Sequence, residues 1–193
     1  MPRPTKKSER RAQILDAFER CVARYGLDGA TLDRVSEEAG LARALIRHNV
    51  GNREALIEAF TERFMENSDA AMASMVDRLP SETRSIAMVN WLFQPGSPDT
   101  KLILASSALI MAGAYDHKLA KRMRAWTDAF IARIESVLKQ DYPKANRDAR
   151  RAVANGISGI YFNSQSMAPL GVDTALRTHS HDAALRLLHT LDD

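Results

Sequence analysis

The apolar residues of this 193-residue chain recur three and four positions apart, segment after segment, and no stretch sustains an apolar–polar alternation between turn signals. A period near 3.6 gathers side chains on one side of a helix, whereas a half-buried strand needs a period of two. The chain is therefore predicted to be all-α. Residues 9–25 carry Ile14, Leu15, Phe18, Val22 and Tyr25 at helical spacing, with Ser8 as a cap and Gly26 as a stop. A connection at 27–30 follows, containing Gly29. Thr31 then caps a short helix with Leu32, Val35 and Ala39 on its apolar side, and Gly40 ends it. Residues 42–49 make another short helix bounded by Gly51, and Asn52 caps a long one that reaches Arg78 and stops at Pro80.

Further helices are predicted over 81–93, 100–113, 116–140 and 144–163, and from an Asp173 cap to Thr190, about nine in all. Pro95, Gly96 and Pro98 punctuate one break, Tyr142 and Pro143 another, and 165–172 is a loop. There are no internal repeats or coiled-coil heptads of the kind that mark solenoid or fibrous chains.

Several function classes are excluded by what is missing. The apolar stretches at 102–105 and 108–112 fall well short of the roughly 20 residues that cross a bilayer. Ser8, Glu9, Arg10, Arg11 and Gln13 occupy the place of an export signal's apolar segment, so a cytoplasmic location and no membrane partner are expected. Cys21 is the single cysteine and reads as a small buried apolar residue. No GxGxxG or GxxxxGK[ST] loop, HExxH pair or nucleophile motif occurs, so an enzyme, a cofactor and a metal are not expected. Asp116-His117 and the His179, His181, Asp182 group invite a metal, but i,i+2 spacing turns helical side chains apart.

Net charge is only +3, yet it is unevenly placed. Arg3, Lys6, Lys7, Arg10 and Arg11 face one acidic residue, Glu9, in the first eleven positions, whereas beyond residue 60 the chain has 16 basic and 15 acidic residues. Positive charge at one end suits phosphate contact.

The segment 31–49 places two short helices around a turn at Gly40, a residue that tolerates the left-handed conformation such a turn requires. Leu32, Val35, Ala39, Leu41 and Leu45 or Ile46 can bury the pair against the first helix, leaving Arg43, Arg47 and His48 facing outward. A helix of this kind fits the major groove, its N-terminal part nearest the base edges. Arg43 is a candidate for base or phosphate contact and Arg47 for phosphate. Ala42 and Ala44 allow close approach, including to a thymine methyl. Thr31, Asn52 and Arg53 stand at helix starts, where a hydroxyl or backbone amides can meet a phosphate. Thr31 and Asn52 are helix caps in any case, worth about 0.5–2 kcal/mol each.

The first helix ILDAFERCVARYG, the connection LDGATLDRVSEEAGLARALI and the closing RHNVGNREALIEAF resemble the DNA-binding domain of TetR/AcrR-type regulators over residues 14–60. The resemblance implies a recognition helix over 42–48 and an entry to a fourth helix at Gly51-Asn52-Arg53. Three positions depart from the family pattern: Arg47 stands for a common aromatic, Val50 for a phenylalanine and Arg53 for a lysine. Arg47 can replace a tyrosine–phosphate bond with a charged one.

The resemblance further implies an N-terminal DNA-binding domain at 1–52, with a basic arm and helix-turn-helix, and a helical connector, effector-binding and dimerisation domain at 53–193. Its last two long helices, here 144–163 and 173–190, pair with those of a second copy. Ala152, Gly156, Ser158 and Gly159 permit close helix approach there, or they complete the monomer core. Met65, Met88, Trp91, Met111, Tyr115, Trp126, Phe130 and Tyr161 are candidates to line an effector pocket for a small apolar or amphipathic ligand, and equally for ordinary core. The expected function is that of a ligand-responsive regulator, a repressor binding a palindromic operator in double-stranded DNA as a homodimer. The alternative is a helical interaction protein that answers to a partner protein or has lost specific DNA binding.

Overall fold

A computed structural model describes residues 6–94, 100–171 and 174–192. Arg3, Pro95, Gly96, Pro98, Val172 and the expected cap Asp173 lie outside the described residues. Nine α-helices and one short 3-10 turn occur among the described residues, and no strand. They are α1 (Lys6–Gly29), α2 (Leu32–Ala39), α3 (Arg43–Asn49), α4 (Arg53–Arg78), α5 (Arg84–Leu92), α6 (Thr100–Gly113), α7 (His117–Asp141), α8 (Arg147–Ser166) and α9 (Thr174–His189). The chain divides into two units, one running to Asn67 and including Leu104–Ala120, the other holding Ser68–Ile103 and the residues from Lys121 onward.

In the first unit, α1 buries Ile14, Leu15, Phe18, Cys21 and Val22 along one side. Phe18 meets Phe60 of α4 edge-on at 5.2 Å, a favoured aromatic geometry. Leu32, Val35, Ala39 and Ile46 complete the core from α2 and α3. Arg63 of α4 donates to Asp16 at 2.5 Å, Glu19 at 2.7 Å and the Leu15 carbonyl at 2.8 Å, tying α4 to α1.

Two details differ from the sequence expectation. Gly26, at φ 69 and ψ 175, ends the first regular stretch of α1 as expected, but helical turns resume beyond it across a kink where a plain connection was expected. Tyr25 is 49 % exposed instead of joining the core, and Arg34 lies over its ring at 4.4 Å. The kink turns the chain at that point, so the helical period no longer sets which face is buried.

In the second unit, Met75, Met88, Leu92, Ile134, Leu138, Ile157 and Leu188 are buried among α4, α5, α7, α8 and α9. Arg84 donates to the carbonyls of Val76, Leu79 and Pro80, satisfying acceptors at the end of α4. Asp141 accepts from the backbone and hydroxyl of Ser85, fastening α5 to the end of α7. Asn146 caps α8 by accepting from the Ala149 amide at 2.8 Å. At Gly156 α9 packs close against α8: a Cβ there would lie 2.9 Å from Leu187. Ser158 is buried and donates to the Ala154 carbonyl. Gly156 and Ser158 therefore belong to the packing within one chain, whereas Ala152 and Gly159 are exposed.

Candidate DNA-binding site

The site is built by local chemistry at three caps. The Thr31 hydroxyl accepts from the Arg34 amide at 3.3 Å, starting α2. Gly40 ends it at φ 63 and ψ 34, its amide donating to the Glu37 carbonyl, while the Leu41 amide reaches the Ser36 carbonyl. Only glycine adopts this left-handed conformation without cost, and the bonds satisfy carbonyls that the helix end would orphan. Gln13 of α1 donates to the Ala39 carbonyl at 2.9 Å, and the Ser36 hydroxyl to the Leu41 carbonyl at 2.5 Å. The turn is thus fixed from both sides, which sets the direction in which α3 leaves it.

α3 begins at Arg43; Ala42 is its N-cap and makes no side-chain cap bond. Of its residues only Ile46 is buried, which resolves the choice between Leu45 and Ile46, since Leu45 is 37 % exposed. Ala42, Arg43, Ala44, Arg47 and His48 all face solvent. Arg47 and His48 have no hydrogen-bond or ion-pair partner among the described residues, so their donors are free for a ligand. Arg43 is engaged: one guanidinium nitrogen lies 2.9 Å from Asp33 Oδ1.

The other candidates are occupied by structural work. Asn52 Oδ1 accepts from the Ala55 amide at 2.9 Å, and its Nδ2 donates to Glu54, as a cap for α4. Arg53 donates to the Leu27 carbonyl at 2.9 Å and to Asp28 at 3.2 Å, holding the turn between α1 and α2. On α1, Lys6, Lys7 and Arg11 are exposed, and Arg10 donates to Gln13 at 2.8 Å.

Sequence reasoning missed three residues. Asp33 is one; nothing in the spacing marks it as the partner of Arg43. Arg34 is the second, donating to the Gly29 carbonyl at 2.7 Å. The third is Glu38 of α2, which takes Arg20 at 2.5 Å and Arg24 at 3.0 Å from α1. The hydrogen bond from Arg20, with the charge of Arg24 beside it, holds the Glu38 carboxyl below its ordinary value. The signal for it was the i,i+4 pair Arg20 and Arg24 on one face of α1.

The eight effector-pocket candidates divide between the two units. Met65, Met111 and Tyr115 belong to the first unit and the other five to the second. Met111 and Tyr115 are 68 % and 94 % exposed and line no interior in this chain: Tyr115 lies in the turn after α6, which helical periodicity could not place. Met88 is wholly buried core. Trp126, Phe130 and Tyr161 do gather, joined by Phe162: Phe130 stacks on Tyr161 at 5.6 Å, and Phe162 touches Phe130 at 5.0 Å and Trp126 at 5.6 Å. Trp126 Nε1 donates to Ser68 at 2.9 Å. Burial pushes the Tyr161 phenol up to about 12, and its hydroxyl has no hydrogen-bond partner among the described residues.

No family model matches the chain. It is 23 % identical over 177 residues to the HTH-type transcriptional regulator BetI of Vibrio vulnificus, covering 90 % of this chain and 89 % of that protein. It is 32 % identical over 89 residues, 45 % of the chain, to the HTH-type transcriptional repressor AcnR of Corynebacterium jeikeium. Its fold is similar to the crystal structure of a TetR transcription regulator from Haloarcula marismortui, with a TM-score of 0.78, 16 % identity and coverage of 95 % of this chain and 98 % of that one. Each of these relatives is named as a transcriptional regulator or repressor. The helix-turn-helix residues, the similarity to HTH-type transcriptional regulators and the fold shared with a TetR transcription regulator all point the same way.

Proposed function

We propose that the chain is a repressor that binds a palindromic operator as a homodimer and releases it on taking up a small apolar or amphipathic effector. The observation that carries the DNA-binding part is α3, a helix with one buried residue whose other side offers Arg43, Ala44, Arg47 and His48. A short helix with small residues between arginines enters a major groove without steric obstruction. Repression is supported by the name of the Corynebacterium relative. A homodimer is supported by the open face of α8 at Ala152 and Gly159, since a two-fold operator matches a two-fold protein. The effector part rests on Tyr161, whose ring packs among Phe93, Phe130 and Phe162 and whose hydroxyl has no hydrogen-bond partner among the described residues. An effector that bonds it would favour one subunit arrangement through differential affinity.

Selection of bound duplexes from a random-sequence pool by the purified protein tests this reading. Recovery of one palindrome, its half-sites about one or more helical turns apart, is the expected result. Binding that is uniform across sequences and lost as salt rises would put the interaction-protein reading ahead.

A further inference from the structure

Arg43 is the residue of α3 nearest the helix start, where base edges come closest. It is also the one cation of α3 that already has a carboxylate beside it, Asp33 at 2.9 Å. Asp33 lies in the first turn of α2, where the helix dipole favours a negative charge. Both side chains are open to solvent, 67 % for Asp33 and 50 % for Arg43, so the pair is reachable by DNA. An exposed ion pair adds little to stability, which leaves its geometric effect as the part that matters.

We infer that Asp33 is a specificity-determining residue: it positions the Arg43 guanidinium to read a base edge and prevents it from serving as a phosphate clamp. The inference rests on the DNA-binding reading above. The guanidinium has five donors in a rigid fork, and the Asp33 carboxylate stands beside one of its terminal nitrogens as an ion pair. The remaining edge can still donate two parallel bonds to the O6 and N7 of guanine. A phosphate in the same place would meet the Asp33 charge at close range and be repelled, and that repulsion falls on every sequence alike. Asp33 therefore weakens non-specific binding while fixing the orientation that specific binding uses. This also accounts for an acidic residue on a surface whose other charged groups in α3 are basic.

The test compares the wild type, Asp33→Asn, Asp33→Glu, Arg43→Ala and the double variant Asp33→Asn/Arg43→Ala. Affinities are measured on the duplex recovered from the random pool and on a scrambled duplex of equal composition. Asp33→Asn is expected to bind the scrambled duplex more tightly, with a salt slope steeper by about one phosphate's worth, and to lose about 5- to 10-fold in the ratio of selected to scrambled affinity. In the Arg43→Ala background the same change leaves that ratio unmoved. Asp33→Glu keeps the wild-type salt slope, and circular-dichroism melts of each variant establish that α2 still forms. An Asp33→Asn ratio equal to the wild type's, or an equal loss without Arg43, overturns the inference while leaving the DNA-binding reading intact. A wild type that selects no sequence at all overturns both.

Discussion

Arg43 and Arg47 lie one helical turn apart on α3, and their surroundings give them different work. Arg47 has an unshared guanidinium in open solvent, the condition in which arginine acts as a phosphate ligand of little directional preference. Arg47→Ala is expected to weaken binding about equally on selected and scrambled duplexes and to lower the salt slope by about one. Arg43→Ala is expected instead to relax the choice at one base pair, by about 1–3 kcal/mol. Equilibrium binding to duplexes substituted at each position separates the two patterns, and equal behaviour of both variants would refute the division. Gly40 is a residue-scale case of a different kind. No atom lies within 4 Å of a Cβ built there, so Gly40→Ala meets only backbone strain at φ 63. A destabilisation of about 1–2 kcal/mol is expected, read as a lowered midpoint in urea.

At the scale of elements, the join between α1 and α2 has a pH-dependent component. Glu38 is held by Arg20 and Arg24, and its carboxyl is displaced downward from its ordinary 4.5. A carboxyl with a lowered folded-state pKa stabilises the fold above its unfolded value, and this contribution vanishes as pH falls through the folded value. The melting temperature of the wild type is therefore expected to exceed that of Glu38→Gln at neutral pH, with the gap closing below about pH 4.5. A gap that persists in acid would mean that Glu38 acts through packing rather than charge. The boundaries of these elements were largely legible in the sequence because capping is local: Thr31, Gly40 and Asn52 act on amides and carbonyls within a few residues of themselves. Partners across elements were not legible. Glu38 is 18 positions from Arg20 and Asp33 is ten from Arg43, and only the turn geometry brings either pair together. Tyr25 and Tyr115 fail for the complementary reason: a kink and a turn set their exposure, and helical periodicity describes neither.

At the scale of the whole molecule, the proposed dimer turns on which small residues of α8 are already used. Gly156 is committed to Leu187 of the same chain, so a side chain there would part α8 from α9. Gly159, one turn further, is exposed, and nothing lies within 4 Å of a Cβ built on it. An arginine at this position costs the isolated chain nothing sterically, and in a helix interior it is favoured over glycine by about 0.5–1 kcal/mol. In a two-fold pairing of α8 across the same face, the two introduced charges would oppose each other inside a closely packed interface. Gly159→Arg is therefore expected to keep its helical circular-dichroism signal while its mass in sedimentation equilibrium falls to that of one chain. Binding to a palindrome would then fall by about 10²–10⁴-fold, because the second half-site no longer gains from the first, whereas binding to an isolated half-site would be unchanged. A dimer that survives Gly159→Arg would place any two-fold contact elsewhere on the molecule.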